Sequence, residues 1–333
     1  MPVLTSTYPG APWWQFNGHI QTIAPAFRKL KPLPWRRERL ELADGDFLDL
    51  DWLDTSTEHL VILSHGLEGH SRRPYMVGMA MAFRQKGWSV LAWNCRSCSG
   101  EMNRLPRLYH HGDVEDIGAV VAHALQTHPW RIVVLVGFSM GGAMTMKYLG
   151  VQGRQLHPAI RMGIGFSVPC DLEAGAQALD APANVLYRKR FLKALRKKIE
   201  FKNQQHHLGL DLHRFRQIRH WRDFGEWFSA PLNGYRDASA FYYASSCRHF
   251  IATTAVPLYI INADNDPILT SACTPTTLAR QHPLIFVEQP AEGGHVGFSL
   301  SRSVHTWAEI RAVTLAETCV RRESLRLSSN LDR

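Results

Sequence analysis

The stretch Val133-Val134-Leu135-Val136-Gly137-Phe138-Ser139-Met140-Gly141-Gly142 carries four apolar residues into a serine set between glycines. Ala143-Met144-Thr145-Met146-Lys147-Tyr148-Leu149 follows as a helix-prone run. A buried strand that turns sharply into a helix needs small residues where the serine backbone crowds both elements, and Gly137 and Gly141 supply that space. In such a turn Ser139 projects from the C-terminal edge of a sheet, at the positive end of the following helix. The five-residue pattern alone fits a nucleophile and a plain tight turn equally.

The surrounding sequence narrows the choice. Leu60-Val61-Ile62-Leu63-Ser64, Ser89-Val90-Leu91-Ala92-Trp93, Ile132–Val136 and Met162–Ser167 are short apolar runs, with helical patterns over Tyr75–Gln85, Val114–Leu125 and Ala143–Leu149 between them. Continuous apolar strands alternating with helices predict parallel β-α-β units whose sheet is covered on both faces. Arg37–Leu42 and Phe47–Trp52, joined by Ala43-Asp44-Gly45-Asp46, predict an antiparallel hairpin ahead of them. The rhythm lapses into basic, His-rich, helix-prone sequence from Asp171 to Val256, then resumes with strands at Pro257–Asn262 and Pro283–Val287 and a closing helix at Val304–Val320. The expectation is an α/β core over residues 1–170 and 257–320, a cap insertion over 171–256 and a polar, mobile tail over 321–333.

At 333 residues, 45% hydrophobic and 20% charged, the chain has the composition of a soluble globular protein. No basic segment leads into an apolar one at the start, and no run of about 18 apolar residues occurs, so a cytoplasmic location is expected. Six scattered cysteines are not a disulfide framework, and Cys95-x-x-Cys98 lacks a second Cys/His pair at zinc spacing; no metal and no cofactor are expected. The net charge of +9 gathers in Tyr187–Ile199, where Phe191, Leu192, Leu195 and Ile199 recur at helical spacing. A surface helix with a solvated basic face is the first reading, and peripheral contact with an anionic membrane is the second. No nucleic-acid motif accompanies the charge, so nucleic acid is not expected as a partner. The oligomeric state is not legible.

A serine alcohol needs a base, and the base needs a carboxylate to orient it. Asp264-Asn265-Asp266-Pro267 follows one late strand and Gly293-Gly294-His295-Val296-Gly297-Phe298 follows the next, so either aspartate could serve His295. The order Ser, Asp, His is the one expected of a nucleophile elbow in an α/β hydrolase. Donors for an oxyanion fall to the Met140 amide after the nucleophile and the Leu67 amide in Ser64-His65-Gly66-Leu67-Glu68-Gly69, with His65 a structural hydrogen-bonding residue.

These segments, together with Asn17-Gly18-His19-Ile20-Gln21-Thr22, Asn94-Cys95-Arg96-Ser97-Cys98-Ser99-Gly100-Glu101 and Tyr109-His110-His111-Gly112-Asp113 with Asp116, resemble the YheT-like branch of the α/β-hydrolase superfamily along nearly the whole chain. The branch is related to eukaryotic α/β-hydrolase-domain lipases and esterases. The resemblance implies an α/β-hydrolase fold with a mostly parallel sheet of about eight strands and a helical cap. It implies a Ser139, Asp266, His295 triad and leaves Asp264 a strand-end acid. Ser97 replaces the glycine usual in its loop, and Phe224-Gly225-Glu226-Trp227 departs from a more acidic family segment. The expected activity is that of a serine carboxylic-ester hydrolase on a small ester, with a lipid-like chain compatible. An acyltransferase using the same triad and a non-enzymatic binding module on the same fold are the alternatives.

Overall fold

The computed structural model describes residues 2–331, with side chains through Ser324. Among the described residues nine strands build one sheet: β1 (Val3–Leu4), β2 (Arg36–Glu41), β3 (Phe47–Leu53), β4 (His59–Ser64), β5 (Ser89–Asn94), β6 (Ile132–Phe138), β7 (Ile160–Phe166), β8 (Leu258–Ile261) and β9 (Ile285–Glu288). Their order is β1-β9-β8-β7-β6-β4-β5-β3-β2. Every neighbouring pair is parallel except β2 with β3 and β3 with β5. This is the expected α/β-hydrolase architecture with its leading antiparallel hairpin.

Alternation along the strands explains why apolar runs are needed. Leu60, Ile62, Val133 and Leu135 enter one layer with helices α3 (Val114–Thr127) and α4 (Met140–Gln152). Val61, Leu63, Val134 and Val136 enter the opposite layer with α2 (Pro74–Arg84) and the C-terminal helix Trp307–Leu331. A strand buried on both faces has no polar side, so the periodicity of two disappears from its sequence. Helix α4 is buried from Met140 to Gly150, and even Lys147 is enclosed, its ammonium donating to the carbonyls of Gly112 and Ala244.

Two elements differ from the sequence-based expectation. The ninth strand, β1, is two residues long and gains its definition from pairing Val3 with Val287. The C-terminal helix runs eleven residues past Val320, through most of the segment expected as a mobile tail, to Leu331; Asp332 and Arg333 lie outside the described residues. Within 171–256 the chain forms α5 (Leu172–Asp180), α6 (Val185–His206) and shorter helical turns around a third apolar cluster that includes Leu179, Ile199, Trp221, Phe224 and Phe228. Leu108 and Ile268 join this cluster and Leu67 packs against it, so the block covers loops that leave the C-terminal ends of the strands.

Helix α6 is less solvated than its basic sequence predicts. Leu195 and Ile199 are buried, as the spacing requires, but Lys198 and Lys202 are buried too. The Lys198 ammonium donates to Glu68 Oε1 at 2.7 Å and to Cys98 Sγ at 3.3 Å, while Lys202 donates to the carbonyls of Asn103 and Leu105. The two lysines thus bolt the helical block to the core, something charge counting along the sequence does not distinguish from a solvated face. The departure at Phe224–Trp227 corresponds to a π-helical turn over Gly225–Ser229.

Candidate active site

Ser139 occupies the junction between β6 and α4 with φ 52° and ψ −119°, a left-handed backbone that costs a non-glycine residue about 1–3 kcal/mol. Two positions away on either side, Gly137 and Gly141 must be glycine for steric reasons. A Cβ on Gly137 would stand 2.3 Å from the Gly141 carbonyl oxygen, and one on Gly141 would stand 2.3 Å from that of Ser64. The turn is therefore packed from both sides and holds the serine hydroxyl outward.

His295 Nε2 lies 2.9 Å from Ser139 Oγ, and His295 Nδ1 lies 2.8 Å from Asp266 Oδ2. The Asp266 side chain is 1% exposed, and its other oxygen accepts the Ile268 amide at 2.9 Å. Asp264 instead accepts an exposed hydrogen bond from Gln289 Nε2 at 3.2 Å. Three residues that the sequence spreads over three loops thus form one hydrogen-bonded line. Such a line can take the proton of a serine hydroxyl onto an imidazole while a carboxylate fixes the tautomer and stabilises the resulting cation.

The loops carrying Asp266 and His295 are locked by the segment Asn17–Thr22, whose role the sequence leaves open. Gln21 Oε1 accepts the Gly293 amide and the Asn265 side chain, each at 2.8 Å, and Asn265 Oδ1 accepts the Gly294 amide. Thr22 Oγ1 accepts the His295 amide at 2.9 Å and donates to the Gly18 carbonyl. The fit is close enough that a Cβ on Gly18 would sit 2.0 Å from the Asn265 carbonyl oxygen, and one on Gly297 2.1 Å from that of Gln21. Ser167, also at positive φ, accepts the Val296 amide from the sheet side. No catalytic pattern marks Gln21, Thr22 or Ser167; the Asn17–Thr22 motif includes the first two, and Ser167 reads as the end of a strand.

Met140 and Leu67, the residues expected to receive an oxyanion, lie beside Ser139 in the chain and in the cavity lining respectively. Met140 is the first residue of α4, where an amide has no acceptor within the helix. Gly66 packs its backbone against the serine, a Cβ there standing 3.2 Å from Ser139 Cβ, and Leu67 lines the cavity beside it. Tyr75, which the sequence does not single out, holds this loop by accepting the Gly66 amide on its hydroxyl at 3.0 Å. Burial pushes the Tyr75 phenol up to about 12, so it stays neutral. Tyr109 accepts the Glu68 amide and donates to the Glu68 carboxylate that Lys198 also grips. His65 is structural: its Nε2 accepts the Cys95 amide at 3.0 Å, Nδ1 faces the Gly66 carbonyl, and burial pulls its pKa down to about 3. Asn94–Glu101 is structural as well, with buried Arg96 paired to Asp116 and Asp46. Ser97 adopts φ 61°, the conformation for which a glycine is usual.

The hydroxyl opens into a cavity of about 240 Å³ with largely apolar walls, among them Ile23, Phe27, Phe138, Phe191 and Ile268. A larger concavity of about 720 Å³ adjoins it, but neither Ser139 nor His295 reaches that space. Among the described residues no cluster of His, Cys, Asp or Glu could hold a metal ion.

Comparison with known proteins agrees with this architecture. Residues 55–217 match the family described as serine aminopeptidase, S33, a span that includes Ser139 and stops before Asp266. YheT of Escherichia coli is 30% identical over 89% of this chain and 88% of its own, and a mouse protein named phospholipase ABHD3 is 29% identical over 89% of this chain and 74% of its own. Human ABHD2, named a monoacylglycerol lipase, is 25% identical over 89% of this chain and 75% of its own. Among solved structures, the Pyrococcus furiosus esterase Pf2001 superposes with a TM-score of 0.56 at 15% identity, covering 89% of this chain and 96% of that one, a likeness of fold. The chain is a hydrolase and belongs to the YheT-like branch of the α/β-hydrolase superfamily.

Proposed function

We propose that the protein is a serine carboxylic-ester hydrolase acting through Ser139, His295 and Asp266. The observation that carries the proposal is the continuous line Asp266 Oδ2, His295, Ser139 Oγ, with bonds of 2.8 and 2.9 Å, ending at an apolar cavity. In the first half-reaction His295 Nε2 takes the hydroxyl proton as Ser139 Oγ attacks the ester carbonyl. The negative oxygen is received by the Met140 and Leu67 amides, preorganised donors that stabilise charge as it develops. His295 then gives its proton to the departing alkoxide, leaving an acyl-serine. Water, deprotonated by the same imidazole, attacks the acyl carbon; the bond to Ser139 Oγ breaks, His295 returns the proton to that oxygen, and the carboxylic acid leaves.

The walls favour an ester with an apolar acyl or alcohol chain, because Phe27, Phe138, Phe191 and Ile268 offer such a chain little hydrogen bonding. The relatives named phospholipase and monoacylglycerol lipase support the same substrate class. Residues 171–256 act in this reading as the cap that closes the cavity from above. The test is a panel of esters of graded acyl length, with matched amides, on the wild type and Ser139→Ala. Turnover of esters that is abolished by the substitution is expected; unchanged turnover in Ser139→Ala, or preference for the amides, overturns the reading.

A further inference from the structure

Five large apolar side chains near the N-terminus face water: Trp13 is 89% exposed, Trp14 49%, Phe16 75%, Ile23 44% and Phe27 77%. This exposure is built rather than frayed. Buried Gln21 donates to the Gln15 carbonyl, the Gln15 amide donates to the Pro12 carbonyl, and Asn17 caps the helix Gly18–Ile23 by accepting the Ile20 amide. The segment that locks the catalytic loops on one side therefore holds a set of aromatic rings outward on the other.

The patch stands at the mouth of the active site. Pro25, Phe27 and Arg28 line both the catalytic cavity and the larger concavity, and Trp13 and Trp14 wall the latter. The charge around it is cationic: Arg302 lines the concavity, Arg73 and Arg190 line the catalytic cavity, and exposed Lys29 and Lys31 follow in the chain. The acidic side chains in these two linings, Glu68 and Glu309, are already paired with Lys198 and with Arg28. Aromatic rings beside cations, surrounding the entrance to an apolar cavity, fit the boundary between lipid headgroups and acyl chains. A protein seated on this patch would stopper the cavity, whereas a bilayer would supply it.

We propose that the segment Trp13–Phe27 docks the protein on an anionic phospholipid surface, with Trp13, Phe16 and Phe27 at the acyl boundary and the neighbouring cations on lipid phosphates. A lipid ester then passes from the bilayer to Ser139 without crossing water. The delivery step rests on the ester-hydrolase reading; the docking step is measured without catalysis, in the Ser139→Ala background. Docking is thereby moved from the basic helix α6, where the second reading of the sequence places it, to the aromatic rim.

The experiment is sedimentation with vesicles of phosphatidylcholine, with and without roughly 30% phosphatidylglycerol, at near-physiological salt. Ser139→Ala protein partitions onto the anionic vesicles about tenfold more strongly than onto neutral ones. Adding Trp13→Ser and Phe16→Ser lowers that partitioning about 10- to 100-fold. In the catalytically intact background, the same two substitutions leave turnover of a short soluble ester within about twofold, since neither side chain lines the catalytic cavity. Wild-type partitioning in the Trp13/Phe16 variant, or a loss seen instead in Lys189→Gln with Lys193→Gln, overturns the proposal. So does a lipid-free dimer in sedimentation velocity that the Trp13 and Phe16 changes dissociate.

Discussion

Replacing Asp266 with asparagine alters one group in a buried hydrogen-bonded line, and the surroundings dictate how the replacement must sit. Asp266 Oδ1 accepts the Ile268 amide at 2.9 Å, and Oδ2 faces His295 Nδ1 at 2.8 Å. If the asparagine keeps its carbonyl oxygen on Ile268, its NH2 group points at Nδ1, which must then be an unprotonated acceptor. The ring proton moves to Nε2, 2.9 Å from Ser139 Oγ, and the imidazole can no longer accept the serine proton. The opposite amide orientation leaves the Ile268 amide without an acceptor, at a cost of about 1–3 kcal/mol. The expected loss in kcat is about 10³- to 10⁴-fold, or about 4–5.5 kcal/mol of transition-state stabilisation. Asp264→Asn disturbs only the exposed bond to Gln289 and is expected to change kcat by less than about twofold. Steady-state kinetics on a soluble ester, with far-UV circular dichroism to show the fold intact, measure both variants. An Asp266→Asn enzyme within about tenfold of wild type, or an Asp264→Asn enzyme equally impaired, refutes the assignment of the acid.

Gly141→Ala places a Cβ 2.3 Å from the Ser64 carbonyl oxygen and 2.5 Å from that of His65, both backbone atoms in the sheet edge. The expected destabilisation is about 3 kcal/mol or more in urea unfolding, and a variant as stable as wild type contradicts the packing argument. Gln21→Leu strips the Gly293 amide and Asn265 of their shared acceptor; kcat is expected to fall about tenfold with KM little changed, whereas a merely structural residue would lower stability alone. Stability should also fall with acid in the window set by the buried histidines. Burial pulls His65 and His110 down to about 3, below the unfolded value of about 6.5, so the unfolded chain takes up protons first as pH drops. Their contribution is fully present above that unfolded value and falls by about 3 kcal/mol between about pH 7.5 and 5.5, continuing until the folded groups protonate. His305, half-exposed and raised by its bond to Glu309, works in the opposite sense and is screened. Urea titrations at the two pH values check the sign, and equal or greater stability at the lower one contradicts it.

The sheet was legible because β4, β6 and β7 are short, largely apolar runs that alternate with helical patterns, the rhythm of parallel β-α-β units. Strand β1 was not, since two residues carry no periodicity and its pairing partner Val287 is almost the whole chain away. Ser139, Asp266 and His295 could be picked out because each follows a strand, though the choice between Asp264 and Asp266 needed the family resemblance. Tyr75 and Ser167 escaped because their work is done by single hydrogen bonds to backbone amides, which impose a residue type at one position and no pattern around it, while the Asn17–Thr22 motif does not by itself say which loops Gln21 and Thr22 hold. The inward turn of Lys198 and Lys202 escaped for a related reason. A lysine on a helix reads as solvated until the loop that accepts its protons is in place.

The central claim, that Ser139 is a nucleophile activated by His295, is tested most directly by a fluorophosphonate probe followed by peptide mass spectrometry. One adduct is expected, on Ser139, absent in Ser139→Ala and formed about 10³-fold more slowly in His295→Ala. An adduct on another residue, or labelling of the wild type no faster than that of His295→Ala, would contradict it.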